Sequence, residues 1–245
     1  MAAITAELGG YPRFAGQVGD DHVGHTLVED LRRRGVAVHA SFAGGTGVIV
    51  TMIGRGGRSR LIDRGASRRQ TFIEPEVLDE ASQLFVAGSA FTEDPYASAI
   101  DQLLGEATDT RVPITIGGPS VTDLESMGSE GFLALCTAVE PRHVVLNRAE
   151  HSALGLNPHQ PIPGAATTIV TNGRRPTLVL EADVARSVEV PPLDDVHDRT
   201  GVGDGFLAGF LRSRASGADA VAAAHAGHRV AARVLAHLGP TTGAE

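Results

Sequence analysis

The segment Asp198-Arg199-Thr200-Gly201-Val202-Gly203-Asp204-Gly205-Phe206-Leu207-Ala208-Gly209-Phe210 carries the residue types best placed to do chemistry. Gly201, Gly203 and Gly205 let the backbone turn tightly and come close to a ligand. A helical pattern follows at once, so free N–H groups at a helix start point into the turn. Such a start holds an anion with no basic side chain. A carboxylate in the middle of it, Asp204, works against simple anion binding. It makes sense as a base that takes a proton from a hydroxyl while that hydroxyl attacks a phosphoryl group. Two other readings fit the same residues. Asp204 also suits a first-turn acid that complements the helix dipole. Gly203-x-Gly205-x-x-Ala208 fits a dinucleotide fingerprint, although no clear strand precedes it and no βαβ unit with a distant acid follows.

The elements that must position this turn alternate along the chain. Arg13 to Val18 reads as a short strand. Val23, Leu27, Val28 and Leu31 fall at helical spacing, with Gly35 as the C-cap glycine. Val36 to Ile62 is rich in Val, Ile and Thr, broken at Gly44-Gly45, Gly47 and Gly54-Arg55-Gly56-Gly57. It predicts two or three antiparallel strands joined by tight turns. Leu84 to Val86, Val112 to Ile116, Val144 to Leu146 and Thr168 to Val170 are short apolar runs separated by helix-length segments. That pattern predicts a parallel sheet with helices on both faces. Thr177 to Leu180 and Ser187 to Val190 read as a late hairpin. Helices are expected from Gly203 onward and from Asp219 to about Leu238. The expectation is one α/β domain over residues 1–245, with 36–66 as a small β excursion.

Composition narrows the partners. The chain carries 21 Lys and Arg against 29 Asp and Glu, a formal net charge of −8, and no Lys/Arg-rich run. It is a poor candidate for nucleic-acid binding, and any anionic ligand must be held by local donors. Cys136, the single cysteine, excludes an intramolecular disulfide and reads as a core residue. No run approaches the roughly 20 apolar residues of a membrane span, and the start lacks a basic n-region, so the expected compartment is the cytoplasm.

The motif Asp198-x-Thr200-Gly201-x-Gly203-Asp204-Gly205-Phe206 resembles the C-terminal signature of the ribokinase-like (PfkB-type) carbohydrate kinases. The resemblance implies a three-layer α/β/α Rossmann-like fold with a small β lid, and phosphoryl transfer from ATP to a sugar or sugar-like hydroxyl. It casts Asp204 as the catalytic base and the amides of Gly201, Val202 and Gly203 as the hole for the transferred group. Asp198 and Thr200 match contributors to a potassium site that many relatives have; Arg199 and Val202 depart mildly from the pattern. Asn147-x-x-Glu150 resembles the family's N-x-x-E, implying that Glu150 organises magnesium through water and that Asn147 lies beside the nucleotide. By itself the tetrad is an ordinary capping box. Thr171-x-Gly173 resembles a T-x-G that contacts ATP, and by itself is a turn. His225 to Gly239, including His228, resembles the helix and loop beside the adenine. Gly16-Gln17-Val18-Gly19-Asp20-Asp21-His22-Val23-Gly24 resembles the family's GxVGxDxxG block.

The resemblance also implies a preceding strand with G-x-x-x-D and a Gly-rich block ending in N-x-A, of which only the final Ala would fall here, at Ala2. The chain is therefore expected to be an N-terminally truncated form of the pattern, or one whose start lies upstream of Met1. The rival expectation is a nucleotide-binding protein without turnover. Ser89 and Gly117-Gly118 fall at strand ends where ligands of α/β folds bind. Arg68, near the lid's return at Gly65-Ala66-Ser67, is expected to be solvated rather than to meet an acidic sugar. Many relatives form dimers through the lid.

Overall fold

Short β-branched runs become the middle of the molecule. In the computed structural model, which describes residues 1–54, 57–182, 184–193 and 196–243, they assemble into a six-stranded sheet. Its order is β10 (Val184–Val188), β9 (Arg175–Glu181), β8 (Thr167–Asn172), β7 (His143–Asn147), β6 (Ile114–Gly117) and β5 (Leu84–Val86). Strands β5 to β8 are parallel, and β9 and β10 complete it as the expected antiparallel hairpin. Strand alternation divides the core between the two faces. Val144 and Leu146 of β7 point to one side and meet α3 (Tyr96–Asp109), α4 (Val121–Met127) and α5 (Ser129–Val139), with Phe132 and Cys136 fully buried. Val145 points to the other and meets α7 (Val202–Ala215) and α8 (Ala220–Leu235) through Phe206, Phe210 and Ala224. These are the three layers expected. No described helix is long and apolar enough to cross a membrane.

One expectation fails in the N-terminal part. The strand β2 (Ala37–Phe42) was expected to run antiparallel within the segment Val36 to Ile62. It instead pairs in parallel with β1 (Arg13–Val18), across the helix α2 (His22–Arg33). The Gly44-Gly45 turn does not fold β2 onto its successor; it hands the chain to a separate antiparallel hairpin, β3 (Val48–Gly54) and β4 (Gly57–Asp63). The turn residues Arg55 and Gly56, read above as part of a tight connection, lie outside the described residues. A first helix, α1 (Ala2–Glu7), packs Ile4 against Ala208, Val230 and Val234, on the outer side of α7 and α8.

Asp21 joins the hairpin to the body. It caps α2 by accepting from the Gly24 amide at 2.8 Å, and its other contacts are the Thr46 amide at 2.7 Å and the Thr46 hydroxyl at 2.6 Å. The Thr46 hydroxyl and these amides hold the carboxyl down from 3.8 to about 2. Because the folded-state value is depressed, this stabilisation is complete above the ordinary carboxylate value and is lost as pH falls through it towards about 2. Asp21→Ala is expected to lower the melting temperature and to speed hydrogen exchange at the Thr46 amide. Unchanged exchange there would contradict the clamp.

His143, at the start of β7, is buried with its ring edge-on to Phe210 at 5.2 Å, and Arg214 Nε donates to its Nε2 at 3.2 Å. Burial first, then the Arg214 charge, pushes it down from 6.5 to about 3. The native chain thus keeps His143 neutral where the unfolded chain protonates it, so stability falls as pH drops from 6.5 towards 3. About 2 kcal/mol of loss between neutrality and pH ~5 is the expected scale for one such group. Melting curves across that range should show it, and His143→Gln should flatten the slope; an unchanged slope would refute the assignment.

Candidate active site at the strand ends and the start of α7

Three groups of polar and charged residues stand out. The first lies at the carboxyl ends of neighbouring parallel strands, where open α/β sheets leave a crevice. Asn147 ends β7 and stands opposite Thr171 of β8 in the ladder. Asn147 caps the short helix α6 (Arg148–Ala153), its side chain accepting from the amides of Ala149 and Glu150 at 2.9 and 3.0 Å. Glu150 reaches back to the Asn147 amide at 2.8 Å and to its side-chain nitrogen at 2.6 Å. The capping box read from the sequence is therefore present, and it fixes the orientation of the Glu150 carboxylate. Burial raises the Glu150 pKa above its ordinary value, and the Asp123 charge adds to that. Gly118, at the end of β6, passes so close that a Cβ there would lie 2.6 Å from Glu150 Oε2. Gly173 takes a positive φ of 61° in the turn after β8.

The second group is the start of α7. Gly201 is its N-cap, with φ +77°, a conformation that only glycine adopts cheaply. Helix geometry leaves the first amides, those of Val202, Gly203 and Asp204, without an ordinary intrahelical acceptor. The Asp204 side chain is 53% exposed and lies 3.7 Å from the α-amino group of Met1. Just before the turn, Asp198 accepts from the Thr200 amide at 3.0 Å, from the Thr200 hydroxyl at 2.9 Å and from the Gly239 amide at 3.1 Å. These donors depress its pKa. Asp198 thereby ties the turn before α7 to the loop after α8, where Pro240 packs on Gly201. His228 of α8 is buried against Phe206 with ring centroids 5.0 Å apart, and burial pushes it down to about 4. It lies beneath the α7 start, between the two helices.

The third group sits at the base of the hairpin and was not visible as a site. Arg64 donates to Asp123 at 3.4 Å, and Arg68 lies 3.9 Å from the same carboxylate while also pairing with Glu93. The side chain of Arg68 is only 14% exposed, which overturns the solvated Arg68 expected above. Its partners are 25 and 55 residues away, beyond the reach of local pattern reading. Asp123 is the N3 acid of a capping box with Ser120, and that Ser-x-x-Asp spacing was the one signal that could have flagged it.

The oxygen-rich donor set suits a hard cation bound largely through water: Glu150 is anchored by two nitrogens but retains lone pairs on both oxygens. The amides of residues 202–204 suit an anion. Each of the two groups thus offers one of the pieces that handling a metal-bound polyphosphate requires.

The whole described fold matches known proteins. Residues 1–245 match the family described as pfkB family carbohydrate kinase. The adenosine kinase of Saccharomyces cerevisiae is 26% identical over 93% of this chain and 73% of its own length. Among solved structures, adenosine kinase from Sinorhizobium meliloti superposes with a TM-score of 0.88 at 23% identity, covering 98% of this chain and 76% of that one. A putative ribokinase II from E. coli, solved in complex with ATP and Mg2+, superposes with a TM-score of 0.83 at 19% identity, covering 100% and 82%.

Proposed function

The chain belongs to the pfkB family of carbohydrate kinases, and from that premise we propose that it transfers the γ-phosphoryl group of ATP to a hydroxyl of a sugar or a sugar-bearing nucleoside. The observation that carries the reading is the start of α7, where Gly201 at φ +77° leads into first-turn amides that have no i−4 helical acceptor and Asp204 stands exposed in the first turn. A hydroxyl beside Asp204 gives up its proton to the carboxylate as its oxygen attacks the γ-phosphorus, and the bond from that phosphorus to the β–γ bridging oxygen breaks, releasing ADP. The amides of Gly201, Val202 and Gly203 receive the charge on the transferring group. Glu150, held by Asn147, would support a magnesium ion through water beside the ATP phosphates, where the ion would neutralise their charge. Thr171, Gly173 and His228 belong to the nucleotide side of the site. Asp198 and Thr200 are the residues that would hold a monovalent cation such as potassium, their oxygens gathered beside the anion-binding turn.

We assign the hairpin β3–β4 as the lid over the acceptor. Its closure would exclude water and limit ATP hydrolysis. Val48, Ile49, Met52 and Leu61 are each about half exposed or more on it, an apolar surface that supports a homodimer through the lid. Sedimentation showing only monomer at micromolar concentration would remove the dimer.

The acceptor class is decided by ADP release with Mg·ATP and potassium against adenosine, ribose and hexoses. Release with one class and not the others identifies it. Release equal with and without every acceptor would refute a sugar-hydroxyl kinase.

A further inference from the structure

The outer side of the α7–α8 pair carries a groove of ≈ 500 Å³ whose lining runs against the charge of the chain. Residues 205–243 contain Arg212, Arg214, Arg229 and Arg233 against a single acid, Asp219, in a protein of net charge −8. Three of those arginines line the groove, and among the described residues no carboxylate does. Each helix contributes one matching stripe. On α7 the lining residues are Gly209, Arg212, Ser213 and Ser216; on α8 they are Ala226, Arg229, Val230 and Arg233. Both follow the i, i+3, i+4, i+7 spacing that places side chains on one helix face. Gly209 lets the stripes converge, since a Cβ there would lie 2.8 Å from the Ala226 carbonyl. The groove is therefore about 10 Å long, by the rise of seven helical residues. Ala226, Val230 and Leu8 add apolar surface to the lining.

The donors are partly held in place. Arg212 Nη1 donates to Ser216 Oγ at 2.6 Å, and Arg233 Nη2 donates to Thr242 Oγ1 at 3.3 Å. Arg212 Nε is buried and has no hydrogen-bond partner among the described residues. A cation in the last turn of α7 or α8 complements the helix dipole. That explains Arg212 and Arg233 singly, but neither Arg229 nor the convergence of all three on one groove with no carboxylate among its described lining residues.

We infer that this groove binds a small phosphorylated ligand, its phosphates held along the stripe by Arg212, Arg229 and Arg233. Guanidinium forks match phosphate oxygens in pairs, and an elongated row of them suits a di- or triphosphate better than a single phosphate. The groove is separate from the phosphoryl site: Arg212 lies eight residues along α7 from Asp204, about 12 Å. This assignment does not depend on which acceptor the kinase uses.

The test is a titration of the full chain with pyrophosphate at constant ionic strength, followed by the Arg212 Nε–H resonance in proton–nitrogen spectra. A saturable shift is expected, and Arg229→Gln should weaken the apparent affinity by about tenfold or more, the loss of one charge-assisted pair. Arg229 is exposed and touches no catalytic residue, so the variant should melt as the parent does. Absence of a saturable shift, a shift that chloride reproduces, or one that survives Arg229→Gln together with Arg233→Gln would each overturn the inference. A response confined to the amides of Gly201 to Gly203 would do the same, because it would place the anion in the phosphoryl site alone.

Discussion

Asp204→Asn is expected to cost about 10² to 10⁴ in kcat, the usual contribution of a positioned general base. In activation free energy that is roughly 3 to 5 kcal/mol. Asn keeps the size of the side chain and removes the charge that accepts the proton. The side chain is 53% exposed and stands only in the first turn of α7, so the fold should survive. A carboxylate facing a polyphosphate also repels it, and the variant should bind Mg·ATP as well as the parent or better. Steady-state ADP release with a calorimetric nucleotide affinity separates the two effects. If Asp204→Asn instead abolished nucleotide binding while leaving the residual rate per bound nucleotide unchanged, Asp204 would be a binding residue and the base would lie elsewhere.

The second large effect comes from Gly201. Its φ of +77° costs an L-residue about 1–2 kcal/mol, and an added Cβ would lie 2.4 Å from the Cβ of Pro240. Either the turn before α7 or the loop after α8 must shift to admit it. The amides of residues 201–203 then move off the position of the transferring group, and misplacing one such donor costs about 10² to 10³ in rate. Gly201→Ala should therefore lower both kcat and the melting temperature. Gly203→Ala provides the contrast. Nothing lies within 4 Å of a Cβ there, and Gly203 is inside the helix, so its melting temperature should hold or rise. Native melting and turnover in Gly201→Ala would show that the turn does not shape the site.

How far the sequence carries depends on the range of the interaction in question. Leu84–Val86 and Arg13–Val18 read correctly to the residue, because buried apolar alternation is local. β7 and β8 extend beyond their apolar runs to Asn147 and Asn172 at one end and to His143 and Thr167 at the other. Those polar residues pair in the ladder without advertising it. β2 was given the wrong partner, since hydrophobic pattern fixes a strand's faces but not its neighbour. The glycine-rich turn before α7 was legible from three glycines and an acid, whereas what braces it was not. Asp198 finds Gly239 across 41 residues, and Asp21 finds Thr46 across 25. The acid at Asp123 gathers Arg64 and Arg68 only once the hairpin has folded back, so the ion-pair cluster at the hairpin base has no sequence signature beyond its capping spacing.

If the turn before α7 holds the transferring phosphoryl group as proposed, these braces are what let an acidic chain hold it, with backbone amides and short-range carboxylate caps in place of a field of lysines. Arg212, Arg229 and Arg233 line a separate groove, while Arg214 turns to His143 at the start of β7.

The most direct test of the central claim is a phosphorus NMR time course of the chain with Mg·ATP, potassium and the acceptor panel. The account predicts that the γ-phosphate signal declines while a new phosphomonoester resonance rises with ADP in equal amount, and that Asp204→Asn suppresses both. ADP accumulating with inorganic phosphate alone, or an unchanged spectrum from a folded chain that binds Mg·ATP, would contradict phosphoryl transfer to a sugar hydroxyl by this protein.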